Sequence, residues 1–204
     1  MPKKFTGYIE GQTPLDPNEI NGLIPEHITL LSELNELEQA NITKAIRKYL
    51  KGRIKKWDLG DPLLLRKIHA EMFSDVWEWA GKFRRTDKNI GVAPEQITSE
   101  LKQACDDLKF WEKEKTFPII EMAIRYHHRL VKIHPFPNGN GRFSRMIGDM
   151  LLRKYETGPL KWGGSLNSDD EIRKRYLGAL RLADKNDFSQ LLEIARTENK
   201  YDQY

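Results

Sequence analysis

The sequence predicts one mainly α-helical domain with a short β-hairpin flap. Three observations predict it. Apolar residues recur at helical spacing along most of the 204 residues. Gly52, Gly60, Gly81, Pro94, Pro118 and Gly158-Pro159 punctuate those stretches. Strand-like composition is confined to residues 82–93, where β-branched residues flank Asp87-Lys88-Asn89. The length suits a single domain. Hydrophobic residues at 39% and charged residues at 31% suit a soluble chain with a core, and 10% aromatics, with 5 Trp, exclude disorder.

Residues 1–28, with Gly7, Gly11, Pro14, Pro17, Gly22 and Pro25, read as an irregular N-terminal arm. The domain is expected over 29–204, with an N-terminal helical region at 29–56 and its core at 57–204. From Thr29 a helix carries Leu30, Leu31, Leu34, Leu37, Ile42, Ala45, Ile46 and Tyr49 on one face. Asp61-Pro62 is an N-cap with proline at the first helical position; this helix should run through Leu64, Ile68, Phe73 and Trp77 to Gly81. A short hairpin or extended flap at 82–93 follows. Pro94-Glu95 opens a helix to about Lys113, and Pro118 opens another carrying Ile120, Ala123, Ile124, His127, Leu130 and Val131. A helix through Phe143, Met146, Ile147, Met150 and Leu151 comes next, then two more at about 169–184 and 187–198.

Several function classes are excluded at this level. The lone Cys105, read as a small core residue, excludes an intrachain disulfide and a cysteine-built zinc site. No apolar run follows Lys3-Lys4, so neither a secretory signal nor a membrane span is expected, and the expected location is the reducing cytoplasm. A net charge of +4 favours a nucleotide or an acidic partner, but is too weak for a dedicated nucleic-acid binder. His27, His69, His127 and His128 read as structural, and Lys51 to Lys56 as a solvated helix end.

The chemistry concentrates between His134 and Arg145. Gly139 and Gly141 allow a tight turn and close approach of backbone to a ligand. A helix begins directly after them, so unpaired amides and the positive dipole end face one spot, where phosphates bind well. Arg142 and Arg145, three apart, lie on one side of that helix and can clamp phosphate oxygens. His134 supplies an imidazole for proton removal near neutral pH. Each feature alone is more often structural; together they describe a phosphoryl- or nucleotidyl-transfer site.

The run His134-Pro135-Phe136-Pro137-Asn138-Gly139-Asn140-Gly141-Arg142, ending at Arg145, resembles the signature of the Fic (filamentation induced by cAMP) family, His-Pro-Phe-x-Asp/Glu-Gly-Asn-Gly-Arg-x-x-Arg. Supporting segments are Ile68 to Phe73, Trp77 to Arg84 and Arg175 to Leu180. Gly11 to Asp16 and Glu33 to Gln39 resemble a bacterial subgroup called mobile mystery protein B. The resemblance implies protein AMPylation, with ATP as donor, a Ser, Thr or Tyr hydroxyl of a target protein as acceptor, and pyrophosphate as leaving group. It makes His134 the general base and Phe136 the loop's core anchor. Asn140 and the amides of Gly139 and Gly141 would hold the α- and β-phosphates, Arg142 the β- and γ-phosphates, and Arg145 the γ-phosphate. The flap residues Phe83, Arg84, Ile90, Gly91 and Val92 would register the target by strand pairing.

Asn138 stands where the family has a carboxylate for Mg²⁺, which predicts a weaker metal requirement or slower transfer. It also keeps an alternative in view, a weakly active or inactive module of the same fold that binds a nucleotide or a partner. Many relatives carry a self-inhibiting helix, Ser/Thr-x-x-x-Glu-Gly/Asn, and two registers come close: Thr29 with Glu33, and Ser32 with Glu36. Further partner candidates are a small helix-turn-helix regulatory protein and a second copy of the chain as a homodimer. No membrane and no direct nucleic-acid partner is expected.

Overall fold

Asp61 caps its helix as expected: its carboxylate accepts from Leu63 N at 2.9 Å, with Pro62 in the first turn. In the computed structural model, which describes residues 17–25, 27–50, 57–160, 162 and 170–196, the helices are α1 (Pro17–Ile20), α2 (Leu31–Leu50), α3 (Pro62–Phe73), α4 (Ile97–Glu114), α5 (Ile119–Ile133), α6 (Asn140–Lys154), α7 (Asp170–Ala183) and α8 (Ser189–Arg196). A 3-10 turn, Pro94–Gln96, leads into α4. The expected arm residues 1–16, the lysine-rich stretch 51–56 and the end of the last expected helix, 197–198, lie outside the described residues.

Helix α5 is the hub. Tyr126, Leu130 and Ile133 join the main core formed with α2, α3, α4 and α6, whereas Ile124 belongs to a second cluster with Trp162, Tyr176, Ala179 and Leu191. Cys105 is buried in the main core, within reach of the Tyr126 hydroxyl. No described helix is long and apolar enough to cross a membrane.

Two expectations need correcting. The helix expected to continue to Gly81 stops at Phe73. The Asn41 side chain draws the chain aside there, donating to Glu71 O at 3.1 Å and accepting from Asp75 N at 2.9 Å. Trp77 and Trp79 then stack at 4.8 Å in a turn, and Leu23 pairs with Trp77 in an isolated antiparallel bridge.

The second correction is the flap. Residues 82–93 contain no strand, because their two ends bond to the neighbouring loop instead of to each other: Arg84 N donates to Pro135 O at 2.9 Å, and Val92 N to Ile133 O at 3.3 Å. An ion pair ties this segment to α1, with Lys88 Nζ 2.6 Å from Glu19 Oε2 and both side chains largely buried.

Candidate active site

The site grows from the way α5 ends and α6 begins. His134 caps α5 in the left-handed region, φ 51°, with its amide still bonded to Leu130 O at 3.2 Å. That turn swings the chain into Pro135 and Phe136. Gly139, φ 78°, then opens α6 without any side-chain cap, so the first amides of that helix are left for another acceptor. A Cβ at Gly139 would sit 2.4 Å from the Phe73 ring, so only glycine fits between loop and α3.

Phe136 does anchor the loop. It is fully buried, stacks on His69 with ring centroids 3.7 Å apart, and meets Phe143 edge-on at 5.2 Å. His69 braces the loop at its far side. Its Nδ1 accepts from Gly81 N at 3.0 Å, which leaves Nε2 to donate to Asn138 O at 3.0 Å. Burial lowers its pKa to about 3, and the Asn138 bond only partly opposes this, so His69 is neutral near pH 7.

His134 is buried as well. Burial is the main cause of a pKa lowered to about 3, and the Arg84 and Lys88 charges add to it. The imidazole is therefore held in the neutral form that can take a proton.

Asn140 turns inward. Its Oδ1 accepts from Phe136 N at 3.0 Å and its Nδ2 donates to Phe136 O at 2.8 Å, so both ends of the amide shape the loop. The expected metal residue, Asn138, directs Oδ1 to Gly139 N at 2.6 Å. A divalent cation of the Mg²⁺ type prefers carboxylates and phosphate oxygens; this loop offers one neutral amide oxygen already engaged with its own backbone. The residues present do not fit a protein-held Mg²⁺. Among the described residues there is no cluster of three or more His, Cys, Asp or Glu that could hold a metal.

Arg142 lies with its guanidinium 5.0 Å from the Phe73 ring centroid and 2.6 Å from Glu38 Oε2. Arg145 sits 5.9 Å from the Tyr176 ring centroid; burial raises the Tyr176 pKa and this arginine opposes the rise. One helical turn on, Asp149 accepts from Leu160 N and Trp162 Nε1, and burial pushes its carboxyl up to about 6 against those bonds and Arg145. His127 completes this side, with Nε2 2.9 Å from the Tyr176 hydroxyl.

The inhibitory candidates fall elsewhere. Thr29, Ser32, Glu33 and Glu36 are all exposed, and Glu33 Oε2 accepts from Leu30 N at 3.3 Å at the start of α2. The carboxylate that reaches the loop is Glu38, which also accepts from Trp77 Nε1 at 2.6 Å. It was legible as a charge on the apolar face of α2, four residues after Leu34 and four before Ile42. Of the flap residues, Ile90 and Gly91 are exposed, Phe83 and Val92 are half-buried, and Arg84 is buried beneath them.

The chain is similar in sequence and in fold to known proteins. The Fic/DOC family model matches residues 61–152. Protein adenylyltransferase fic-1 of Caenorhabditis elegans is 31% identical over 112 residues, covering 53% of this chain and 21% of that protein. The probable protein adenylyltransferase aq_aa38 of Aquifex aeolicus (strain VF5) is 31% identical over 205 residues, covering 95% of this chain and 61% of that protein. This chain thus spans between about a fifth and three-fifths of the length of these relatives. Among solved structures, Fic-1 (residues 134–508) of C. elegans superposes with a TM-score of 0.66 at 23% identity, over 87% of this chain and 51% of that one. BepC of Bartonella tribocorum, with bound AMPPNP, gives 0.65 at 21% identity, over 86% of this chain and 94% of that one.

Proposed function

We propose, for a chain that carries a Fic/DOC family domain over residues 61–152, that it transfers AMP from ATP to a Ser, Thr or Tyr hydroxyl of a target protein and releases pyrophosphate. The observation that carries this reading is the juxtaposition of His134, buried and neutral at the end of α5, with the uncapped N-terminus of α6 and its two arginines. The relatives named adenylyltransferases and the nucleotide-bound BepC structure support it.

In this reading the free amides at the start of α6 and the guanidinium of Arg145 hold the triphosphate, and Arg142 joins them after leaving Glu38. Asn140 keeps the loop in shape through Phe136. His134 takes the proton of the target hydroxyl as its oxygen attacks the α-phosphorus. The bond from that phosphorus to the bridging oxygen breaks, and the charge leaves with pyrophosphate. Catalysis rests on positioning and on fixed positive charge, without a covalent enzyme intermediate. No step is routed through Mg²⁺, for which the loop provides no carboxylate.

The test is labelling of a lysate with α-labelled ATP by the wild-type chain and by His134→Ala. Bands that vanish with His134, while ATP binding persists, support the transfer. Unchanged bands in the variant would count against His134 as base.

One observation favours a second reading, a nucleotide- or partner-binding regulatory module. The Glu38–Arg142 pair, with Asn138 in place of an acid, leaves the site with one phosphate-binding arginine engaged and no metal carboxylate. ATP binding without any labelled band, even in Glu38→Gln, would select this module.

A further inference from the structure

Arg84 belongs to the flap by sequence, yet its side chain turns away from any target. It is 3% exposed. Its Nε donates to His134 O at 2.7 Å, Nη1 to Thr86 O at 3.0 Å, and Nη2 to Val92 O and, at 3.5 Å, to Ile133 O. One guanidinium thus holds the main chain of the flap at two points and that of the His134 turn at two more.

The backbone bonds from Arg84 N to Pro135 O and from Val92 N to Ile133 O close the same joint. Gly91 makes room for it. At φ 108°, a Cβ there would lie 2.6 Å from Arg84 Nη2 and 2.7 Å from His134 Cβ. Asp87 and Glu19 supply nearby counter-charge for a cation whose pKa burial otherwise lowers.

We propose that Arg84 is a positioning residue that locks the target-binding flap and the catalytic His134 into one rigid frame, so that a target seated on the flap presents its hydroxyl at a set distance from the imidazole. This rests on the transferase reading of the site. A planar fork with five donors can span four carbonyls, whereas a lysine ammonium has three donors on a point charge and can hold only part of the joint. The frame matters because transfer needs reacting atoms within about 3.5 Å, and a shift of about 1 Å costs on the order of 100-fold in rate. Arg84 therefore acts on turnover, through geometry, and leaves the phosphate-binding amides and arginines of α6 alone.

The test compares wild type, Arg84→Lys and Arg84→Met in two readouts. The first is backbone amide hydrogen exchange of the folded proteins. The Val92 amide and the flap around it should exchange at least about 10-fold faster in Arg84→Met, while α3 and α4 keep their protection. The second is the initial rate of lysate labelling at saturating α-labelled ATP, set beside AMPPNP affinity by calorimetry. The rate should fall about 100-fold in Arg84→Met and less in Arg84→Lys, with affinity changed less than about twofold. Unaltered exchange with an unaltered rate would overturn the proposal, as would rate and affinity falling together. If Arg84→Met does not fold, Arg84→Lys carries the same two comparisons. Absence of labelling by both the wild-type chain and Glu38→Gln sinks the transferase reading, and the exchange experiment still decides whether Arg84 pins the flap.

Discussion

Glu38 and Arg142, 104 residues apart in sequence, meet at 2.6 Å, and the same carboxylate holds Trp77 Nε1 through its other oxygen. A phosphate approaching α6 must take Arg142 from a largely buried carboxylate. Glu38→Gln keeps an acceptor for Trp77 and removes the competing charge. Its ATP dissociation constant should fall by roughly 10-fold, about 1.4 kcal/mol. Calorimetry showing equal or weaker binding would mean that Glu38 does not compete for the arginine.

Asn138→Asp should lower the Mg²⁺ concentration that gives half-maximal labelling, because a carboxylate adds the hard charge that the amide lacks. Titration of labelling rate against Mg²⁺ reads this directly. An identical titration in both proteins would show that a carboxylate at position 138 does not recruit Mg²⁺.

His69→Phe keeps the stack on Phe136 and deletes both hydrogen bonds, that of the buried Gly81 N and that of the half-buried Asn138 O. The expected cost is about 2 to 4 kcal/mol, measured by urea unfolding. A change below about 1 kcal/mol would show that water or a shifted loop satisfies those groups.

Stability should fall on the acid side. His69, His127 and His134 all have pKa values lowered to about 3 from 6.5, so between those limits the unfolded chain binds protons that the native chain refuses. Each lowers stability by at most about 1.4 kcal/mol per pH unit as pH falls. Asp149, raised to about 6 from 3.8, works the other way between those values, since the native state holds its proton first. Of these four groups, three against one leave a net loss of roughly 3 kcal/mol per pH unit between about pH 6 and 4, and His128, whose pKa burial also lowers, adds to it in the same direction. Urea midpoints measured at pH 7, 6 and 5 should fall in that order. Removing His127 by His127→Gln should flatten the slope.

Much of this was readable beforehand, and what escaped has a common cause. Local signals such as Asp61-Pro62, the apolar stripe of α5 and Gly139 before α6 acted locally, and the helices formed where those signals stood, with Gly141 taken into the first turn of α6. The early end of α3 depends on Asn41, twenty-one residues before α3 begins. The flap lost its hairpin because bonds to residues 133 and 135 replaced its own ladder. Glu38 stood out only as a charge on an apolar helix face, and its role depends on distant partners, Trp77 and Arg142, that the local pattern does not name. His69, read as structural, is structural, and it also carries the loop. Pattern reads neighbours along the chain; these contacts are made across it.

The joint at Arg84 has an evolutionary corollary. All four of its hydrogen-bond acceptors are main-chain carbonyls, of residues 86, 92, 133 and 134. Main-chain oxygens are the same whatever amino acid carries them, so Thr86, Ile90 and other outward side chains can be exchanged without loosening the joint. In the proposed transferase, the outward side chains of the flap can then vary with the target while the attachment to His134 stays intact, provided that Arg84 and Gly91 are kept.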